Sequence, residues 1–156
     1  MNRQVVALGF AVAFAAGFFV YPSVTAQSTG RRVIQPKPFP SIGLPLSPGI
    51  LVGDTLYLSG HLGRDPVSTK IVPGGIEAET RQALINLGAV LREAGMDYRD
   101  VVSVTAFMVD FKDFELYNKV YREFFPKEPP ARATVAVSAL NQGGRVELQM
   151  IAARPR

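Results

Sequence analysis

Two stretches, Val101–Val109 and Arg145–Ala153, are β-prone and carry apolar residues at both odd and even positions. A strand with one wet face alternates apolar with polar residues, so a strand apolar on both sides is covered on both sides. Only two other segments read as helices, enough to cover one face of a sheet. The second face needs cover from outside the chain, and a symmetric homo-oligomer is the usual solution.

The remaining elements follow from periodicity and punctuation. Ile50–Val52 and Thr55–Ser59 flank Gly53-Asp54, a hairpin pattern. His61–Gly75 reads as a loop rich in Gly and Pro. Ile76–Ala94 repeats apolar or small residues every three or four positions (Ile76, Thr80, Ala83, Leu87, Val90, Ala94) and reads as a helix closed by Gly95. Glu77, Glu79, Arg81, Arg92 and Glu93 fall on its other sides. Asp113–Phe125 is the second helix, with Asp113 as its expected N-cap and Pro126, Pro129 and Pro130 beyond its end. Ala131–Leu140 and Arg145–Ala153 read as strands joined through Asn141–Gly144 as a hairpin turn. The sum is an α+β domain, two helices on one face of a mostly antiparallel or mixed sheet.

The N-terminus stands apart. A basic opening at Arg3, a charge-free run Val5–Val20 and small residues at Val24 and Ala26 follow the order of a secretory signal, with cleavage expected after Ala26. The alternatives are an uncleaved anchor, for which the run is slightly short of the roughly 20 residues a span needs, and a buried core helix. The expected organisation is therefore 1–26 signal peptide, 27–48 Pro- and Gly-rich extended arm, and 49–156 folded domain, with Val33-Ile34 as a possible edge strand in the arm. The mature chain is then periplasmic or secreted with no stable membrane association. Without that cleavage signal it is cytoplasmic.

Net charge is +4, and +3 once the single Arg3 of residues 1–26 is removed. The basic residues form no stripe interleaved with aromatics, so nucleic acid is not an expected partner. There is no cysteine and one histidine, which excludes disulfides, thiolate nucleophiles and zinc sites built on Cys or several His.

From about Ile50 onward the chain carries a specific series of segments: Leu58–Gly60, Arg81–Leu84 with Asn86-Leu87 and Ala94-Gly95, Asp100–Val102 with Phe107, Asp113-Phe114 with Asn118 and Val120-Tyr121, Phe124-Phe125, Pro130–Arg132, and Val146-Glu147 leading to Ile151-Ala152. In order and spacing this resembles the RidA (YjgF-like) family. The resemblance implies a subunit of two helices on a six-stranded, chorismate-mutase-like sheet, assembled as a homotrimer with ligand clefts between subunits. It also implies cofactor- and metal-free hydrolysis of enamine/imine intermediates to 2-keto acids and ammonia.

The resemblance assigns roles to particular residues. Arg132 matches the substrate arginine; its planar fork suits a carboxylate, and an Arg at the mouth of an apolar strand needs a partner. Glu147 matches the carboxylate that holds the attacking water, and one carboxylate can serve as base and then as acid. Strand alternation sets it on the face of Arg145 and Gln149, opposite Val146, Leu148 and Met150. Gly60 lies in the family's Ser-Gly-Gln turn and lets backbone approach a ligand. His61 replaces the usual Gln; it is either a proton shuttle titrating near neutrality or a solvent-facing loop residue. Asn118 braces the cleft, and Thr134 shares the strand face of Arg132. One departure is large: the family usually has Gly-Pro-Tyr-Ser-Gln where this chain reads Ile42–Ser47, and no aromatic occurs between Phe39 and Tyr57. Three functions follow: an imine deaminase acting on 2-iminopropanoate or 2-iminobutanoate, a non-catalytic trimer binding small carboxylates, and a structural trimer with a vestigial cleft.

Overall fold

The computed structural model describes residues 30–37, 43 and 45–154. The expected signal segment lies outside the described residues. Seven strands form one mixed sheet: β1 (Arg31–Ile34), β2 (Gly49–Val52), β3 (Thr55–Leu58), β4 (His61–Leu62), β5 (Val101–Met108), β6 (Ala131–Ala136) and β7 (Val146–Ala153). Their order is β1-β2-β3-β7-β5-β6, with the short β4 also pairing β7. Every pairing is antiparallel except β5 with β6.

Local sequence explains the elements. The Gly53-Asp54 turn pairs β2 with β3, and Val33-Ile34 lie in an edge strand on β2. Helix α1 (Gly75–Glu93) ends as Gly95 directs, with its backbone at φ +73°. The Met96 amide then donates to the Leu91 carbonyl and the Gly95 amide to that of Arg92, which satisfies carbonyls the helix leaves open. Helix α2 (Phe114–Phe124) follows a 3-10 turn capped by Asp110, whose side chain accepts from the Lys112 amide.

Both helices cover one sheet face. Ala83, Leu84, Leu87, Val90 and Leu91 of α1 and Tyr117 and Val120 of α2 bury against Leu56, Leu58, Val104, Met108, Leu148 and Met150. Each such large side chain contributes roughly 1.5–3 kcal/mol by leaving water. Truncating Leu148, at the centre of this layer, to Ala would cost about 2–5 kcal/mol.

Four expectations are corrected. The Asn141–Gly144 turn makes no hairpin: β6 pairs β5 in parallel, and β7 inserts between β3 and β5. Sequence adjacency suggested pairing, but a strand–helix–strand crossover through α2 returns β6 beside β5 instead. Seven strands stand in place of six, because His61-Leu62 leave the expected loop to pair with β7. Asp113 sits at the α2 N-cap position without a side-chain cap bond, and its carboxylate instead pairs with the Arg145 guanidinium at 2.7 Å. Glu79, expected on the outside of α1, is buried, and its carboxylate accepts from the Arg145 amide at 2.7 Å. Burial pushes the Glu79 pKa up, with the Arg145 amide and charge opposing that rise.

The other sheet face is uncovered among the described residues. Tyr57 is 51% exposed there, in register with Ile151 and Ile50, and Val33 pairs next to Ile50. The apolar patch lies mainly on β1–β3, and the same face of β5 and β7 mixes Phe107 and Ile151 with Ser103, Thr105, Glu147 and Gln149.

Candidate functional site

Strand β7 presents Val146, Leu148, Met150 and Ala152 to the helices and Glu147 and Gln149 to the open face. Register sets Glu147 opposite Phe107 and Gln149 opposite Thr105. At the other side of Glu147 runs the backbone of Gly60. A Cβ there would collide with the Glu147 carboxylate, so this close approach needs glycine. Ser59 anchors the turn: its amide donates to the Pro48 carbonyl at 2.9 Å and its hydroxyl to the Ser47 carbonyl at 2.7 Å. Gly60, Phe107, Leu140, Glu147 and Gln149 line an open recess of about 270 Å³. It offers one carboxylate and one amide beside apolar walls, which suits water held against a small organic molecule.

Arg132 lies on the other side of the sheet. Its register partner is Val104, which is buried under the helices, and Thr134 pairs with buried Ala106. Arg132 and Thr134 thus share a face, as expected, but it is the face opposite Glu147. The guanidinium carbon sits 4.6 Å from the Tyr121 ring centre, 5.2 Å from Tyr117 and 5.8 Å from Phe114, all of α2. These separations are within cation–π reach. Burial pushes the Tyr117 phenol up to about 12 and raises that of Tyr121 too, and the Arg132 charge opposes both shifts. Asn118 is buried in α2 and does not line the recess.

His61 is neither solvent-facing nor poised at neutrality. Desolvation, with the nearby Arg64 charge, lowers its pKa to about 4, against a backbone hydrogen bond at Pro48. It is therefore neutral at physiological pH, and register places it opposite Leu148 rather than Glu147. A shuttle titrating near pH 7 does not fit this environment.

The structure brings together Gly60 and Glu147 from the residues singled out in the sequence. It separates Arg132, Thr134 and Asn118 from them. Phe107, Leu140 and Gln149 in the recess and the three rings under Arg132 were not assigned to the site. Alternation past Glu147 is a signal for Gln149, and the spacing Phe114, Tyr117, Tyr121 is a signal for one helical face. Phe107 reaches the recess through strand pairing and Leu140 through the connection after β6, and local sequence encodes neither.

The family model described as "Endoribonuclease L-PSP" matches residues 40–154. A goat protein named 2-iminobutanoate/2-iminopropanoate deaminase is 45% identical over 122 residues, covering 78% of this chain and 89% of its own length. Among solved structures, RidA from an Antarctic Psychrobacter superposes with a TM-score of 0.75 at 34% identity, covering 80% of this chain and 99% of that one. TdcF of E. coli with bound serine gives a TM-score of 0.75 at 28% identity, covering 80% and 99%.

Proposed function

The chain belongs to the endoribonuclease L-PSP family, which includes RidA-named proteins, and from that premise we propose that it is an imine deaminase. It hydrolyses 2-iminopropanoate- and 2-iminobutanoate-type imines to 2-keto acids and ammonia. The observation that carries this reading is the Glu147 carboxylate, set against glycine backbone in a small recess with apolar walls.

The chemistry needs few groups. Glu147 accepts a proton from water as the water oxygen bonds to the carbon of the protonated imine and the C=N π electrons pass to nitrogen, giving a neutral tetrahedral carbinolamine. The carboxylic acid then returns that proton to the nitrogen. The regenerated carboxylate takes the hydroxyl proton as the C–N bond breaks and the C=O bond forms, and ammonia leaves, the last proton passing from Glu147 to the ammonia. Arg132 holds the substrate carboxylate through paired N–H donors. Arg132 and Glu147 lie on opposite faces of one sheet, so a ligand meeting both takes them from two copies. The uncovered apolar face around Tyr57 and Ile151 supports a homotrimer with clefts between subunits. The Val5–Ala26 pattern supports an exported mature chain.

The lack of an aromatic between Phe39 and Tyr57 favours a second reading, a carboxylate binder without turnover. Ammonia release from freshly generated 2-iminopropanoate separates the two. The deaminase releases ammonia, and Glu147→Gln lowers kcat roughly a thousandfold while 2-oxobutanoate still binds. No release above the uncatalysed rate leaves only the binder.

A further inference from the structure

Arg132 is exposed at the sheet edge, yet its guanidinium is not loose. Phe114, Tyr117 and Tyr121 recur at three and four residues along α2, so their rings share one helix face. Tyr117 is fully buried and Tyr121 nearly so. Further ring contacts brace the row at both ends, Phe111 on Phe114 at 5.7 Å and Tyr121 on Phe125 at 4.6 Å. The result is a rigid aromatic shelf continuous with the core. Arg132 makes no ion pair among the described residues.

We infer that this shelf, Tyr121 and Tyr117 above all, positions the Arg132 guanidinium for carboxylate recognition. The inference rests on the reading of Arg132 as the carboxylate-binding group. A guanidinium lying on a ring uses its flat face, and its N–H donors point outward in its own plane. A shelf therefore restrains the side chain while leaving most of its five donors for a carboxylate, one N–H lying against the Tyr117 hydroxyl. An acidic partner would restrain it equally well but would occupy those donors and oppose an anionic ligand. Arg side chains carry about 2 kcal/mol of rotamer entropy, and part of that loss is incurred here before the ligand arrives. Tyr117 and Tyr121 touch no reacting atom; they act through Arg132, so they set binding rather than the chemical step.

The test replaces Tyr121 by Phe and then by Phe carrying increasing ring fluorine. Fluorination drains the negative ring face while leaving shape and burial nearly constant, which a merely structural role would not register. Dissociation of 2-oxobutanoate, read by calorimetry, and KM for 2-iminobutanoate should both rise along the series, by about fivefold at full fluorination, with kcat and melting temperature flat. Arg132→Lys, measured alongside, fixes the frame. If Arg132→Lys weakens 2-oxobutanoate binding and the fluorinated series does not, the shelf has no positioning role. If neither change affects binding, Arg132 is not the carboxylate group, and both readings fall together.

Discussion

The two sides of the sheet treat their candidate functional residues differently. On the helix side, Arg132 is held by three rings belonging to its own chain, over a fully packed core. On the open side, Glu147 has a glycine backbone behind it, Phe107, Leu140 and Gln149 around it, and nothing above it among the described residues. The proposed carboxylate-holding group is thus organised by tertiary structure, whereas the recess around the proposed water-activating group is open among the described residues. On that proposal, fixing the cation in the subunit and leaving the carboxylate to be covered on assembly would make the oligomer a condition of activity.

Mixing defective chains breaks or confirms that division with the largest effect. Arg132→Lys keeps the charge but loses the fork, and a misplacement of about 1 Å costs roughly a hundredfold in rate. Glu147→Gln removes the base. If each site draws Arg132 and Glu147 from different copies, coexpressing the two defective chains in equal amounts leaves about one site in four with both native groups. Ammonia release should then rise from about one per cent of the native rate to about a quarter of it. Should the mixture stay as inactive as its parents, one subunit holds the whole site.

The same division explains what the sequence could reveal. Glu147 and its exposed face were legible because alternation along β7 is local, and Val146, Leu148 and Met150 bury as that pattern requires. Helices α1 and α2 were legible from their stripes, and the Gly95 stop from its backbone preference. Asn141–Gly144 misled because turn-forming residues indicate that the chain bends, not which strand it meets next. Glu79 and Asp113 misled for a related reason. Both are acids in exposed-looking positions, and only the tertiary approach of Arg145 makes their burial tolerable. The opposition of Arg132 and Glu147 was hidden because it depends on β6 joining β5 in parallel and β7 joining it antiparallel.

His61 sharpens the comparison at the next scale, since it adjoins Gly60 in sequence but belongs to the packed structure. Its folded pKa of about 4 lies below its ordinary 6.5. Between those values the unfolded chain binds the proton and the folded chain does not. Stability is therefore complete above about pH 6.5 and is lost as pH falls toward 4. The shift corresponds to about 3 kcal/mol by pH 4. His61→Gln removes that titration. Urea denaturation at pH 7.5 and 4.5 should show the native protein losing stability on acidification and the variant losing far less, with ammonia release at pH 7.5 little changed. An identical acid sensitivity in both would mean that the ring is solvated in solution.

The smallest effect probes the open side directly. Gln149 lies two residues from Glu147 on one face of β7, so their side chains start about 7 Å apart. Gln149→Glu places a like charge there. At that distance two unit charges in a water-like dielectric repel by about 0.6 kcal/mol, roughly half a pKa unit. Repulsion disfavours an ionised carboxylate, so the acid limb of the pH–kcat/KM profile moves up by the same amount. The size of the movement reports on the cover. A shift near half a unit that shrinks with added salt means that water still fills the recess in the working assembly. A shift above about one unit that resists salt means that a second copy has dried it, since the same separation then acts through a lower dielectric. An acid limb that does not move at all would mean that Glu147 is not the base governing the reaction.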